Sequence, residues 1–278
     1  MKDRVRATDF ENRERPKTRR GQFFDLFRHR FLEIMKISWL QAIFQMPLYV
    51  SVVLFWILFR KAENYDSAFT IILILSASFL VSIPTLYIGL SGVYGCLRRL
   101  VHAEGEYASS DFFLSLKEDW RNGMATGFIV AFSLGGGLIG GFYLYGDSAV
   151  LNGWLSAVGI ALLAIQFLVV TVVSYHQLGQ GAFYQNGFGA SLGNGLRMSL
   201  SRFPLALLFF LIHPGILIAC FSLMSITAYT GVGLSLFFSG FAHLIWMLYL
   251  VSTFDRYINK DNFPDYYRRG LYQEKEEA

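Results

Sequence analysis

Six long apolar runs, separated by short polar stretches, dominate the chain. They fall at 37–59, 69–96, 124–145, 151–175, 203–225 and 231–252. A helix needs about 20 residues of this kind to cross a hydrocarbon layer ~30 Å thick. Nothing in that layer can satisfy exposed backbone groups, so continuous apolar runs of this length predict spanning helices. The breaks near Gly146 and Ala228 are very short. The third and fourth runs therefore predict one hairpin, and the fifth and sixth another. A fourth run, or a glycine-rich third, that re-enters without crossing is the alternative. The fold class expected is all-α, a polytopic membrane helical bundle of about six transmembrane helices.

The segments between the runs are patterned too. In GQFFDLFRHRFLEIMK, Phe24, Phe27, Phe31 and Ile34 repeat at helical spacing among Arg28, Arg30 and Lys36. This predicts either an amphipathic helix on the inner leaflet or an extension of the first span. SSDFFLSLKEDWRNG predicts a loop helix over about 110–121, capped by Ser110 or Asp111. Phe112, Phe113, Leu116 and Trp120 fall on one side of it, with Lys117, Glu118 and Arg121 available to water. FGASLGNGLRMSLSRFP repeats its Phe, Ser-Leu and Arg order ahead of the fifth run, a faint sign of duplication. The organisation expected is an N-terminal segment, 1–36, a membrane domain, 37–252, and a tail, 253–278.

Composition sharpens this picture. The chain has 278 residues, 54% hydrophobic and only 16% charged, where soluble domains carry about 25% charged residues. Apart from histidine and tyrosine, residues 123–253 contain only Asp147, Arg197, Arg202 and Cys220 as ionisable groups. With the N-terminus inside, twenty-two of the 24 Lys and Arg fall on the cytoplasmic side, and only Arg60 and Lys61 fall outside. That bias predicts both termini in the cytoplasm. The net charge of +4 reads through the same rule, and not as a nucleic-acid signal. The first 22 residues are mixed in charge and lack an apolar core, so they do not read as a signal peptide. Cys96 and Cys220 fall in apolar runs. A disulfide stays open on sequence, and two buried thiols are the plainer reading.

Candidate chemistry is sparse. No run holds Asp, Glu, Lys or Arg near its centre, which counts against ion-coupled transport. No P-loop, HExxH, CxxC or GxSxG pattern occurs. The polar groups at mid-depth are Gln45, Gln166, His213 and His243. The two histidines sit near the middles of a predicted hairpin pair and could face each other. Such a pair is either a metal or proton site, or interhelical hydrogen bonding worth under ~1–2 kcal/mol. Two imidazoles without a carboxylate or thiolate make a poor metal site. No metal and no cofactor are expected.

Small residues offer packing surfaces instead. LGGGLIGG contains Gly136-xxx-Gly140 and Gly137-xxx-Gly141, which suits close helix approach. A broken helix lining a cavity is the alternative. The second run, 69–96, would be about 42 Å long as a helix, so it must tilt, kink or project. Pro84 can kink it. Gly89, Gly92 and Gly95 make a shallow groove, and Arg98 and Arg99 complement its C-terminal dipole.

This region carries a resemblance. P-T-x-x-I-G-x-S-x-x-Y-x-x-x-R, from Pro84 to Arg98, leads through E-G-E-Y to D-F-F-x-S-x-K-x-x-W. FFDLFRHRFLEIMKISWL and the F-D-R-Y at Phe254 to Tyr257 accompany it. Together they resemble the YesL-like integral membrane proteins of Gram-positive bacteria. The extra apolar run and the loop RKAENYDS before Pro84 depart from that pattern. The resemblance implies no catalytic residues. It implies a setting beside carbohydrate ABC importers, glycan-degrading enzymes and sensor kinases. The function expected is therefore a non-catalytic accessory protein of the plasma membrane, partnered with importer permease subunits. Arg98, Arg99, Asp111, Phe112, Phe113, Trp120 and Arg121 are its candidate docking residues. A stand-alone transporter or channel, or a membrane partner of a carbohydrate-sensing kinase, are the competing readings.

Overall fold

The computed structural model describes residues 15–104, 107–146, 153–184, 186–210 and 225–272; for 209, 210 and 225–236 it describes the backbone alone. Among the described residues the chain is helical, with no strand. The helices are α1 Arg19–His29, α2 Phe31–Phe59, α3 Tyr65–Val101, α4 Ala108–Gly146, α5 Gly153–Phe183, α6 Phe188–Ser201, α7 Phe203–Phe210 and α8 Ser225–Phe254. A π-turn, Asp255–Asn259, and short helical pieces close the tail. Five helices among the described residues are long and apolar enough to cross a membrane. The protein is an all-α membrane bundle. Most of the predicted fifth run, with His213 and Cys220, lies outside the described residues.

Local chemistry sets the helix ends. Thr18 Oγ1 accepts from Gly21 N at 3.1 Å and starts α1. Arg30 leaves helical geometry (φ −126°, ψ 21°) and separates α1 from α2. Asn64 and Ser67 form a reciprocal capping box at the start of α3. The expected Ser110 or Asp111 cap does not open α4. That helix begins earlier, and Glu33 of α2 accepts the Ala108 N–H at 3.0 Å. A carboxylate from a neighbouring helix thus meets an orphan donor and the positive end of the dipole.

α3 and α4 run antiparallel along their whole lengths, and small residues set their approach. Gly95 lies against Ser115 and Gly92 against Phe112. A Cβ at Gly123 would sit 2.6 Å from the Tyr87 carbonyl oxygen, and one at Gly127 would sit 2.5 Å from Pro84 Cα. The helix is continuous through Pro84. Gly89 turns to α2 instead, against Phe44 and Gln41. The glycine cluster of α4 contributes less than its pattern suggests. Gly136 is exposed and a Cβ there would meet no described atom, while Gly140 meets only Leu163 Cδ1, at 3.3 Å. Gly135, immediately before the two patterned pairs, takes the contact with Ser76. The α4 face toward α3 is fixed by the Gly123 and Gly127 approach, and Gly135 continues that face two turns on.

The tight part of the bundle is its basic end. In α5 every residue from 171 to 180 is buried, whereas most of 153–170 is exposed. α8 is buried over most of 239–255. The N- and C-terminal segments meet there. Arg19 Nη1 donates to Arg269 O at 3.0 Å, and Tyr272 N donates to Pro16 O at 3.1 Å. Gln22 Nε2 donates to Val101 O at 2.6 Å. Gly270 takes φ +81° beside the Val101 carbonyl, a conformation and a clearance that exclude a side chain. α1 is therefore neither an extension of α2 nor a helix held by lipid alone. It buries Gln22 and Leu26 against the protein and leaves Phe24 and Phe27 exposed. The lysine and arginine bias predicts that this end is cytoplasmic.

Candidate functional site at the cytoplasmic end

The expected docking residues divide into two groups. Arg98, in the last turn of α3, donates from Nη1 to Ala182 O at 2.8 Å. It thereby serves a carbonyl at the end of α5, where cations are favoured. Arg99 holds α4 through Asp111 Oδ1 at 3.3 Å and Glu118 Oε2 at 3.7 Å. Phe112 is fully buried, packed on Phe44 and Gly92. These four residues are internal fastenings. Phe113 and Trp120 are different, with 54% and 38% of their surface exposed. Arg121 stacks over the Trp120 ring at 5.5 Å. Phe113 precedes Met124, the predicted membrane entry, by eleven positions, about 16 Å along the helix. Its neighbour Phe112 packs at the level of Phe44 and Gly92, inside the first two predicted runs. Trp120 is about 6 Å along the helix from Met124.

The interior polar groups also separate. Gln166 is exposed on the outer half of α5, away from any interior site. Gln45 is buried and accepts from Tyr49 Oη at 3.0 Å, within α2. His243 is buried against the rings of Tyr94 and Tyr175, with centroids 6.0 and 6.1 Å away. Its expected partner, His213, lies outside the described residues. Among the described residues no group of three His, Cys, Asp or Glu could hold a metal ion.

The imidazole with the clearer hydrogen bonding is His176, which follows the predicted fourth run. The Ser199 hydroxyl donates to Gly195 O at 2.7 Å. Its oxygen is then an acceptor 2.9 Å from His176 Nδ1, which also faces Val172 O at 3.0 Å. Both neighbours accept, so Nδ1 carries a proton. The Trp246 and Tyr249 rings pack edge-on against it. This arrangement fastens α5 to α6 and α8.

A polar cleft lies beside it, between α3, α4, α5 and α6. It has room for about one water molecule and is lined by Ser91, Asp119, Asn122, Thr126, Gln177 and Ser191 with Gly181 and Leu178. Gln177 is 3% exposed, yet neither its Oε1 nor its Nε2 has a partner. Sequence reasoning missed this cleft. The available signal was the polar run His176, Gln177 and Gln180 directly after an apolar span.

No family model matches the chain, and neither a curated protein nor a solved structure matches it.

Proposed function

We propose that the protein is a non-catalytic membrane partner that docks another protein through the cytoplasmic projection of α4. The exposure of Phe113 carries this reading. A large apolar side chain stands exposed at the basic end of the bundle, on a helix fastened by Arg99, Asp111 and Glu33. Burying such a side chain is worth about 1.5–3 kcal/mol. The surrounding charges are mixed, with Lys117 and Arg121 beside Glu118 and Asp119. An anionic leaflet would favour cations alone. A protein groove with an apolar floor and a polar rim suits both.

The partner we assign is a permease subunit of a bacterial carbohydrate ABC importer, in the plasma membrane. That assignment rests on the YesL-like resemblance of residues 82–121 and not on geometry. The test is co-purification from native membranes. Phe113→Ala with Trp120→Ala should remove the permease from the purified complex while the protein itself stays monodisperse in detergent. Truncating one interface anchor often costs ~2 kcal/mol or more. Wild-type recovery of the permease by the double variant would overturn docking at this face. Recovery of a sensor kinase in its place would reassign the partner.

A further inference from the structure

The cleft beside α5 has a one-sided chemistry. Ser91 donates its proton to Ile88 O at 2.7 Å, and Thr126 donates to Asn122 O at 2.7 Å. Asn122 Nδ2 points to Asp119 Oδ1 at 3.3 Å. These protons are committed, so Ser91, Thr126 and the Asn122 carbonyl offer oxygen lone pairs to the cleft. Gln177 adds a carboxamide with no partner at either end, and Ser191 adds a hydroxyl without one, although both are more than nine-tenths buried. A buried polar atom left unpaired costs about 1–3 kcal/mol. Two such groups, aimed into one polar cleft, mark a place built to be filled.

The donor set specifies the occupant. Five neutral side-chain oxygens and one carboxylate suit a hard cation. The charge is small. Asp119 supplies a single negative charge, Glu118 is engaged by Arg99, and the Arg98 guanidinium acts on Asp119 from α3. That balance fits one positive charge and disfavours a divalent ion, whose sites gather several carboxylates. No aromatic ring lines the cleft, so it lacks the walls that hold a quaternary ammonium. Gly181 leaves space, since a Cβ there would meet nothing within 4 Å.

We propose that this cleft binds a monovalent alkali cation from the cytoplasm, with Asp119 as the charged ligand and Gln177, Asn122 and Ser191 as neutral oxygen ligands. The ion would draw α4, α5 and α6 together where the helices leave the membrane.

The experiment is thermal unfolding of the purified full-length protein in sodium, potassium or choline chloride at equal ionic strength, paired with saturation binding of radioactive sodium or rubidium. Sodium or potassium should raise Tm over choline by about 3 °C or more once tenfold above half-saturation. Asp119→Asn keeps the shape and the Asn122 contact, and should abolish the rise without lowering Tm in choline. Gln177→Leu should do the same, and serves if Asp119→Asn fails to fold. Identical Tm in the three salts, with no saturable ion binding, would mean that water alone fills the cleft and would overturn the proposal. A cation effect retained in either variant would also overturn it.

Discussion

Arg19 and Asp255, 236 positions apart, form an ion pair of 2.7 Å between Nη2 and Oδ2. Both side chains are nearly buried. The same carboxylate accepts from Asn259 Nδ2 at 2.9 Å and from Arg268 N at 3.2 Å. One acid therefore ties the first helix, the π-turn and the C-terminal tail together. Burial lowers the Arg19 pKa, and the Asp255 hydrogen bond opposes that shift.

Breaking this pair should open the cytoplasmic clasp. Asp255→Ala leaves Arg19 uncompensated and removes three acceptor contacts. The expected cost is about 3–5 kcal/mol, as for other buried pairs broken on one side. It should appear as rapid proteolysis near residues 260–272 and as faster hydrogen exchange in α1. Unchanged proteolysis would show that the apolar contacts of Phe27 and Phe241 hold α1 unaided.

His102 should make the same end acid-sensitive. Its side chain is inaccessible and lies between the rings of Phe183 and Tyr266. Burial pushes its pKa down to about 3, helped by the positive charges of Arg19, Arg269 and Arg98. Glu104 lies 4.0 Å away and also holds Arg269. The opened state takes a proton near pH 6.5 and the closed state does not, so closure is fully favoured above that pH. It should weaken by up to about 1.4 kcal/mol per pH unit as pH falls from about 6.5 toward 3. Hydrogen exchange at 98–104, followed from pH 7.5 to 5, measures it. His102→Phe should flatten the dependence.

The two kinds of glycine in α4 should respond oppositely. Gly127→Ala places a methyl group against the backbone at Pro84 and should cost about 1–3 kcal/mol, from overpacking. Gly136→Ala fills open space and should be neutral, or should gain up to about 1 kcal/mol from helix propensity. Unfolding in mixed detergent micelles compares them. A destabilised Gly136→Ala variant would show a contact at that face, such as a second copy of the protein.

Topology can be read by cysteine labelling. Asn64→Cys, at the capping box of α3, should react with an impermeant thiol reagent in intact cells. Asn186→Cys and Asp261→Cys should react only after permeabilisation. Labelling of Asp261→Cys from outside would overturn the orientation drawn from the lysine and arginine bias.

The helices, their membrane character and their orientation bias were legible in the sequence, because each follows from local quantities. Apolar length decides a span, and the charge beside it decides a side. The fates of individual residues were not local. Phe112 and Phe113 are adjacent and chemically identical, yet one is core and the other exposed, because α4 turns one of them toward Gly92. Gly136 and Gly127 look alike in sequence, and only the register of α3 against α4 separates packing from open space. Gln45, Gln166 and His243 were selected for depth alone, whereas burial depends on which face of a helix meets another. The polar cleft gathers residues from four helices, no two of which needed to be close in sequence. Periodicity along one helix contains no information about its neighbour. Tertiary packing alone made Asp119 and Gln177 one site and joined Arg19 to Asp255.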